Sequence, residues 1–496
     1  MGRTFSAVPY TYLKRGVYYF VIATLGLQAS LTLGGNWSVQ KKSYDTESIS
    51  EDTGIRYEIE PVTILQENSE KLFSFFPHSY SNLSEKNHLA ISLFASEEIL
   101  TQGESSIFGA IHVFDENDKY HTSITAKPFV LEWNNQSKGL QVSKKWQEVL
   151  PQMIFPRRFE TFRLDGSERM DVFIADYGVD GRSPNHPNCG GQNRWFEIKN
   201  GKIHDKTEEL PALNDLTHDL IVEDLNRDGL ADLVVINDPV PPYSNKEQCD
   251  DPSIEEQSYI LLSSKSGYQK YSFREIGITK KHLYLAGEAS LNPSGSFDLL
   301  LSRDGSHSSG GIDIYNFEFE KSGLMLKNKT SFGLGNNNLG ADIRKTDLNG
   351  NGGKDFVISN SASTDWNGHN LYVVSVDNGD WTLSKLFYER DLHGNLGKQD
   401  KGWCERVFLV DLDDNSSVDY VCANRTKPKN LNRPPVIIRK GQDYYPLKFV
   451  DAQLRQFVPF KTVDRRMLVG TRYGKATETD VMLEWQFHGY EVRSDF

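Results

Sequence analysis

The strongest constraint on this chain is a spacing. Five aspartates, Asp171, Asp232, Asp298, Asp355 and Asp419, each open a short apolar run, and the steps between them are 61, 66, 57 and 64 residues. The runs read "DVFIADYG", "DLVVIND", "DLLLSRDG", "DFVISN" and "DYVCAN". They are short, carry no helical stripe and are bounded by turn residues, so they read as buried strands. Behind them come further strand–turn–strand pairs, "SYILLSSKSGYQKYSFREIG", "NLYVVSVDNGDWTLSKLFYER" and "PVIIRKGQDYYPLKFV". Four strands in a recurring unit of about 60 residues is the pattern of one β-propeller blade. The final period, "QFVPFKTVDRRMLVGTRYG" then "DVMLEWQFHGYEVR", reads as a shorter but complete blade with a tight hairpin at Asp464. The expected fold is all-β, a β-propeller of seven four-stranded blades with calcium-binding hairpin loops, carried by residues 155–496. Residues 54–154 alternate like strands in "HLAISLF", "SIFGAIHVFDENDKYHTSI" and "FVLEW". They are expected to supply the first blade; the alternative is a small β-domain capping six.

The hairpin loops explain the expected ion. In "VEDLNRDGLADLVVIND", Asp224, Asn226, Asp228 and Asp232 stand at positions 1, 3, 5 and 9, with Gly229 at 6 and the Leu230 carbonyl at 7. That is the ligand spacing of the twelve-residue EF-hand loop. Position 12, however, is Val235, which cannot be a ligand, and the flanks are strands rather than helices. The loop is therefore a hairpin connection. "KTDLNGNGGKDFVISN" offers Asp347, Asn349, Asn351, the Gly353 carbonyl and Asp355, and "LVDLDDNSSVDYVCAN" offers Asp411, Asp413, Asn415, the Ser417 carbonyl and Asp419. All donors are oxygen, which suits calcium and not zinc. The hairpins closing at Asp171 and Asp298 have lost most ligands, with Arg163 and Ser290 where the first Asp should stand, so no metal is expected there.

With these three ladders set between apolar strands, the chain resembles the FG-GAP/VCBS repeat family, whose blades also build integrin alpha-subunit propellers. The likeness covers roughly residues 155–496. It is closest in "FPRRFETFRLDGSERMDVFIADYGVDG", "GGQNRWFEIKNGKI" and "ELPALNDLTHDLIVEDLNRDGLADLVV", which are similar to secreted bacterial FG-GAP proteins of unassigned function. The resemblance implies a calcium-braced propeller and leaves the function open, since the fold serves adhesion, carbohydrate binding and catalysis.

Arg3, Lys14 and Arg15 precede an interrupted apolar stretch, Val17 to Leu33, so residues 1–35 read as a signal peptide, or alternatively a signal anchor. Residues 36–53 are polar and read as a disordered linker. A secreted, periplasmic or cell-surface location follows. The formal net charge of −13 argues against nucleic acid and against an anionic membrane surface as partners. Cys189 lies 18 residues past Asp171 and Cys249 lies 17 past Asp232, in equivalent loops of adjacent blades, so a bridge between them is reasonable. Cys404 and Cys422 flank one hairpin, where simple antiparallel pairing sets Cys422 opposite Phe408 rather than Cys404. Four free, buried thiols are the alternative.

No nucleophile elbow, metalloprotease helix or P-loop is present. His186, His218, His369 and His393 fall near loops, none beside an evident nucleophile. The long loops "DGRSPNHPNCGGQNRW" and "NDPVPPYSNKEQCDDPS" are where binding is expected. Arg194, Trp195, Tyr243, Trp366 and Trp403 are candidate ligand-surface residues of the kind that stack on sugars; packing between blades is the alternative for Trp195 and Trp403. The preferred reading is a non-catalytic module for a glycan or an extracellular protein. A polysaccharide lyase or hydrolase and a structural adhesin are the alternatives. Whether the chain is an enzyme stays open; clustering of His, Tyr and Arg near the propeller axis would favour one.

Overall fold

The computed structural model describes residues 57–62, 88–100, 104–114, 125–136, 139–164, 167–179, 189–212, 214–238, 254–255, 258–278, 283–305, 309–321, 323–336, 338–348, 354–362, 367–377, 380–388, 404, 406–413, 415–423, 436–440, 443–447, 454–461, 466–472 and 487–494. The expected signal segment and linker lie outside them. Among the described residues no helix is long and apolar enough to cross a membrane.

The chain is all-β, and its described strands form seven four-stranded antiparallel sheets and one small three-stranded sheet. The first strands of the seven are His88–Leu100, Pro156–Phe162, Thr217–Glu223, Tyr284–Leu291, Asn338–Thr346, Arg406–Val410 and Leu454–Lys461. Each lies beside the first strand of the next sheet, and Leu454–Lys461 lies beside His88–Leu100. The second strands Met170–Asp176, Asp232–Asn237, Phe297–Arg303 and Asp419–Ala423 are buried at every position. They are covered on both faces, which is why they read as unbroken apolar runs.

The cover comes from the neighbouring sheets. Phe173 and Ala175 of the second sheet pack on Leu220, Leu233 and Val235 of the third. Val234 and Ile236 of the third pack on Leu299, Leu301 and Phe317 of the fourth. Leu300 and Ile312 of the fourth pack on Ile343, Phe356 and Ile358 of the fifth. One core is thus repeated between successive sheets.

Residues 88–142 form a four-stranded sheet like the others. One feature differs from the sequence reading. The last sheet is not complete within its own period: its fourth strand is Tyr57–Val62, from the other end of the chain, paired with Phe487–Ser494. That pairing satisfies the backbone donors and acceptors which an exposed edge would leave open.

A β-bulge recurs near the start of the first strand. Arg157, His218, Leu285, Ala341 and Arg455 are each the extra residue against the second strand of their sheet. A bulge breaks the alternation of a strand and re-aims the side chain it carries.

Candidate functional site

In the first ladder the chain wraps its own carboxylates. The two oxygens of Asp224 accept the backbone N–H groups of Asp228 and Gly229, each at 2.9 Å. Asp232 Oδ2 accepts from Leu225 and Asn226 at 2.9 and 3.2 Å, and its Oδ1 accepts the N–H and hydroxyl of Ser263, both at 2.7 Å. The third ladder repeats this. Asp411 accepts from Asn415 and Ser416, both at 3.1 Å. Asp419 accepts from Leu412 and from the backbone of Arg439, both at 2.7 Å. In the second ladder the N–H of Leu348 donates to Asp355 at 2.9 Å; Asn349, Asn351 and Gly353 lie outside the described residues. Position six takes a left-handed backbone, φ 82° at Gly229 and 64° at Ser416. Glycine adopts it freely, and serine at a cost of about 1 kcal/mol.

The donors fit a hard cation. One carboxylate oxygen each from Asp411, Asp413 and Asp419 lie within 4.8 Å of one another. Two oxygens on one calcium ion sit no more than about 5 Å apart. Burial pushes the carboxyl of Asp232 up to about 6 and that of Asp419 up to about 7. Among the described residues, neither meets a basic side chain.

The two hairpins without ladders answer their aspartates differently. Arg169 closes on Asp171 Oδ1 with Nη2 at 3.0 Å, and the indole N–H of Trp195 donates to the same oxygen at 2.9 Å. Asp298 receives the amides of Asn292 and Asn316 at 2.8 and 2.7 Å. Arg227 and Lys354, from the neighbouring ladder hairpins, donate to the carbonyls of Asn292 and Leu291.

A second polar site forms where the first strands begin. The guanidinium of Arg157 lies over the rings of Phe155 and Tyr177, at 5.7 and 5.2 Å from their centres. Its Nη2 donates to Nε2 of His218, on the adjacent sheet. A guanidinium only donates, so Nε2 accepts, and the proton sits on Nδ1, 2.6 Å from the carbonyl of Leu285 on the sheet beyond. The Tyr177 hydroxyl donates to Asp238 at 2.8 Å. Arg406, over the ring of Phe94 at 3.8 Å, donates to the carbonyl of Arg157. Three of the bulged residues therefore touch one another in sequence. Arg157 and Tyr177 are 5% and 3% exposed, while His218 and Asp238 are half-buried.

The residues after the bulges make a separate, closed hub. Arg158 reaches Glu160 at 2.8 Å, Asp219 at 2.7 Å and Asp342 at 2.9 Å. Arg344 reaches Asp342 at 3.2 Å and Glu160 at 3.1 Å. Asp219 also accepts the N–H of Gly287, and Asp342 that of Val407. The hub ties five sheets together. Burial pushes Asp219 up to about 6; burial works against Asp342 as well, but Arg158 and Arg344 hold it low. The side chains of Arg158, Asp219 and Asp342 are 6%, 4% and 0% exposed, so the hub is structural.

The expected ligand surface needs correction at Trp195. Its side chain is buried, stacked on Phe173 at 5.7 Å, and it serves the Asp171 hairpin. Arg194 is half-buried in its strand. Tyr243, Trp366, Trp403 and Cys249 lie outside the described residues. Cys404 and Cys422 are joined, with Cα atoms 5.2 Å apart. Cys422 stands opposite Val407, one residue from the expected Phe408, and Cys404 reaches it from just before the strand. Cys189 is disulfide-bonded.

The cluster of Arg157, Tyr177, His218 and Asp238 escaped the sequence reading, which placed His218 near a loop with no evident nucleophile beside it. A signal was present: Arg157, His218 and Ala341 each precede the closing aspartate of their hairpin by fourteen residues.

No protein-family model and no curated relative matches the chain. Among solved structures, a protein of unknown function from Dyadobacter fermentans is 11% identical over 68% of this chain and 96% of its own, with a TM-score of 0.35. A GH43 β-1,3-galactosidase is 11% identical over 75% of this chain and 60% of its own, TM-score 0.32. A GH43 β-xylosidase/α-arabinofuranosidase from a compost metagenome is 12% identical over 60% and 94%, TM-score 0.32. Likenesses this loose carry no argument about activity, and the reading below rests on the residues themselves.

Proposed function

We propose that the chain is a secreted, FG-GAP-like propeller of seven blades, closed by its N-terminal strand and braced by calcium in the loops at Asp224, Asp347 and Asp411. We further propose that it cleaves an extracellular glycan at the mouth formed by its inner strands. The observation that carries the enzymatic reading is the convergence of Arg157, Tyr177, His218 and Asp238 from two adjacent sheets. The Leu285 carbonyl accepts from Nδ1 of His218, which puts the lone pair of the neutral ring on Nε2, toward the site. A neutral imidazole is the side chain suited to take a proton near pH 7. Asp238 holds the Tyr177 hydroxyl and, through that ring, the position of Arg157. Calcium in this reading is structural. The ladders belong to hairpins at the opposite ends of the first strands from the mouth, so the ions set strand register.

A non-catalytic glycan-binding module is the second reading, favoured by the burial of Arg157 and Tyr177, which leaves His218 and Asp238 as the more accessible members. A polysaccharide panel, read for both retention and cleavage in calcium and in chelator, tests both. New reducing ends or unsaturated sugars, abolished by His218→Gln, support the enzyme. Retention without cleavage supports the binding module. Neither retention nor cleavage overturns the glycan reading.

A further inference from the structure

The first and third ladders are clasped from the third strand of their sheets in the same way, but by different residues. In the first ladder the residue is Ser263, whose N–H and hydroxyl both donate to Asp232 Oδ1 at 2.7 Å. In the third ladder it is Arg439, on the strand Val436–Lys440, whose N–H donates to Asp419 Oδ1 at 2.7 Å. The carbonyl of Arg439 accepts the Asn415 amide at 2.7 Å, which leaves Asn415 Oδ1 on the loop, where it accepts the N–H of Ser417 at 2.7 Å. Two ligands of the third ladder therefore hold the Arg439 backbone. Its side chain reaches the neighbouring fifth sheet: Nη1 donates at 2.7 Å to the carbonyl of Leu348, position two of the second ladder. Position two closes every ladder, since the N–H groups of Leu225, Leu348 and Leu412 donate to Asp232, Asp355 and Asp419 at 2.9, 2.9 and 2.7 Å. The Leu348 carbonyl belongs to the peptide that leads into Asn349, position three. Arg439 thus joins two ligands of one ladder to the clasp of the next.

Resting on the calcium reading above, we infer that the second and third ladders bind calcium as a coupled pair, and that Arg439 is the positioning residue that joins them. The element with two states is the loop: closed with its carboxylates held, or loosened by their mutual repulsion. When the third ladder closes, Asp419 and Asn415 are fixed, and with them the Arg439 backbone. The guanidinium then holds the Leu348 carbonyl, and the N–H of the same residue stays on Asp355. Part of the ordering of the second ladder is complete before its own loop closes. A site ordered in advance binds more tightly, and by linkage the same coupling runs from the second ladder to the third. No proton and no covalent bond moves in this step. The first ladder is built otherwise. The Ser263 hydroxyl turns back on Asp232, and the contact with the fifth sheet is the Glu223–Lys345 pair, at 2.8 Å, on the strands before the loops begin.

Calcium uptake by equilibrium dialysis tests the pairing on the full chain, with the first ladder silenced throughout by Asp228→Ala. The affinity of the second ladder is compared with the third ladder intact and with it silenced by Asp411→Ala. Silencing should weaken the second ladder by about fivefold or more, the low end of the usual coupling between sites. Arg439→Met keeps the backbone bonds and the stem but removes the donors, so in that background silencing should leave the affinity nearly unchanged. Arg439→Lys should restore part of the ratio. An Arg439 that only supports the fold would lower the melting temperature when replaced and leave the ratio as it was. Should Arg439→Met fail to fold, the ratio in the chain that keeps Arg439 still decides. A second ladder that binds equally well or better with the third silenced overturns this inference and leaves the calcium reading standing. A ratio that survives in Arg439→Met overturns the role of Arg439. No uptake by any of these chains overturns both the pairing and the calcium reading.

Discussion

Two kinds of hairpin occupy equivalent places in this molecule, and they differ in what answers the closing aspartate. At Asp171 the answer is a guanidinium and an indole, and at Asp298 two amides. At Asp232 and Asp419 it is backbone N–H groups, with one hydroxyl at Asp232. Backbone donors leave the net charge of the loop unchanged, and further carboxylates crowd it: Asp228 works against ionisation of Asp232, and Asp411 and Asp413 against that of Asp419. Like charges held that close repel unless a cation lies between them. The hairpins without ladders meet their aspartate with other groups: Arg169 and Trp195 at Asp171, and Asn292 and Asn316 at Asp298, where Arg227 and Lys354 reach across from the hairpins on either side.

The largest way to break the comparison is to remove calcium. An ion that binds only the folded chain contributes roughly 2.7 kcal/mol per site at a hundredfold excess over Kd. Three ladders together should lower the melting temperature in chelator by several degrees or more, seen by calorimetry. No response would mean that the ladder loops need no ion. The lapsed hairpin gives a smaller effect of opposite character. Arg169→Ala should destabilise by about 1–2 kcal/mol, since it leaves Asp171 buried beside Glu197 without its cation; the partial exposure of Arg169 keeps the figure low. The loss should be the same in calcium and in chelator. A loss seen only in calcium would make that hairpin a metal site after all.

Glu288, outside the hairpins, shows burial outweighing nearby cations. Burial pushes its carboxyl up to about 7, over the opposing charges of Lys345 and Arg344. Unfolded, it titrates near 4.3. The folded chain holds this proton more tightly, so the contribution is fully present below about pH 4 and is lost as pH rises toward 7. In saturating calcium, Glu288→Gln should flatten that part of the stability profile, followed as urea midpoints. An unchanged slope would assign the titration elsewhere. The smallest effect is expected at Ser416→Gly, which relieves a left-handed backbone at the position where the first ladder carries Gly229. The gain is about 1 kcal/mol less the greater freedom of glycine in the unfolded chain.

The hairpins were legible because each is a local contiguous pattern: a ladder at a spacing of two, followed by a strand buried on both faces. The period then carried the repeated unit. Two features were not legible, both because they join residues distant in sequence. Tyr57–Val62 completes a sheet whose other strands lie some four hundred residues later, and nothing local marks it as their partner. The cluster around Arg157 and His218 depends on a bulge, a one-residue excess that exists only relative to a neighbouring strand. Trp195 failed for the opposite reason: composition marks an aromatic residue in a loop-rich region as a surface group, while its partners, Asp171 and Phe173, are set by sheet pairing. Cys404 and Cys422 needed only a shift of one residue in register.

The central claim is that calcium braces the ladder hairpins as a structural clamp. Asp228 tests it most directly, because it is the exposed ligand of the first ladder, and within the loop its carboxylate bonds only to Leu230 N–H and the Asn226 amide. Melting temperatures of the wild-type chain and Asp228→Ala should be compared in calcium and in chelator. The account predicts a clear loss in calcium, near the roughly 2.7 kcal/mol of one site, and almost none in chelator. Equal losses in both conditions, or a variant that keeps its full calcium-dependent stabilisation, would contradict it.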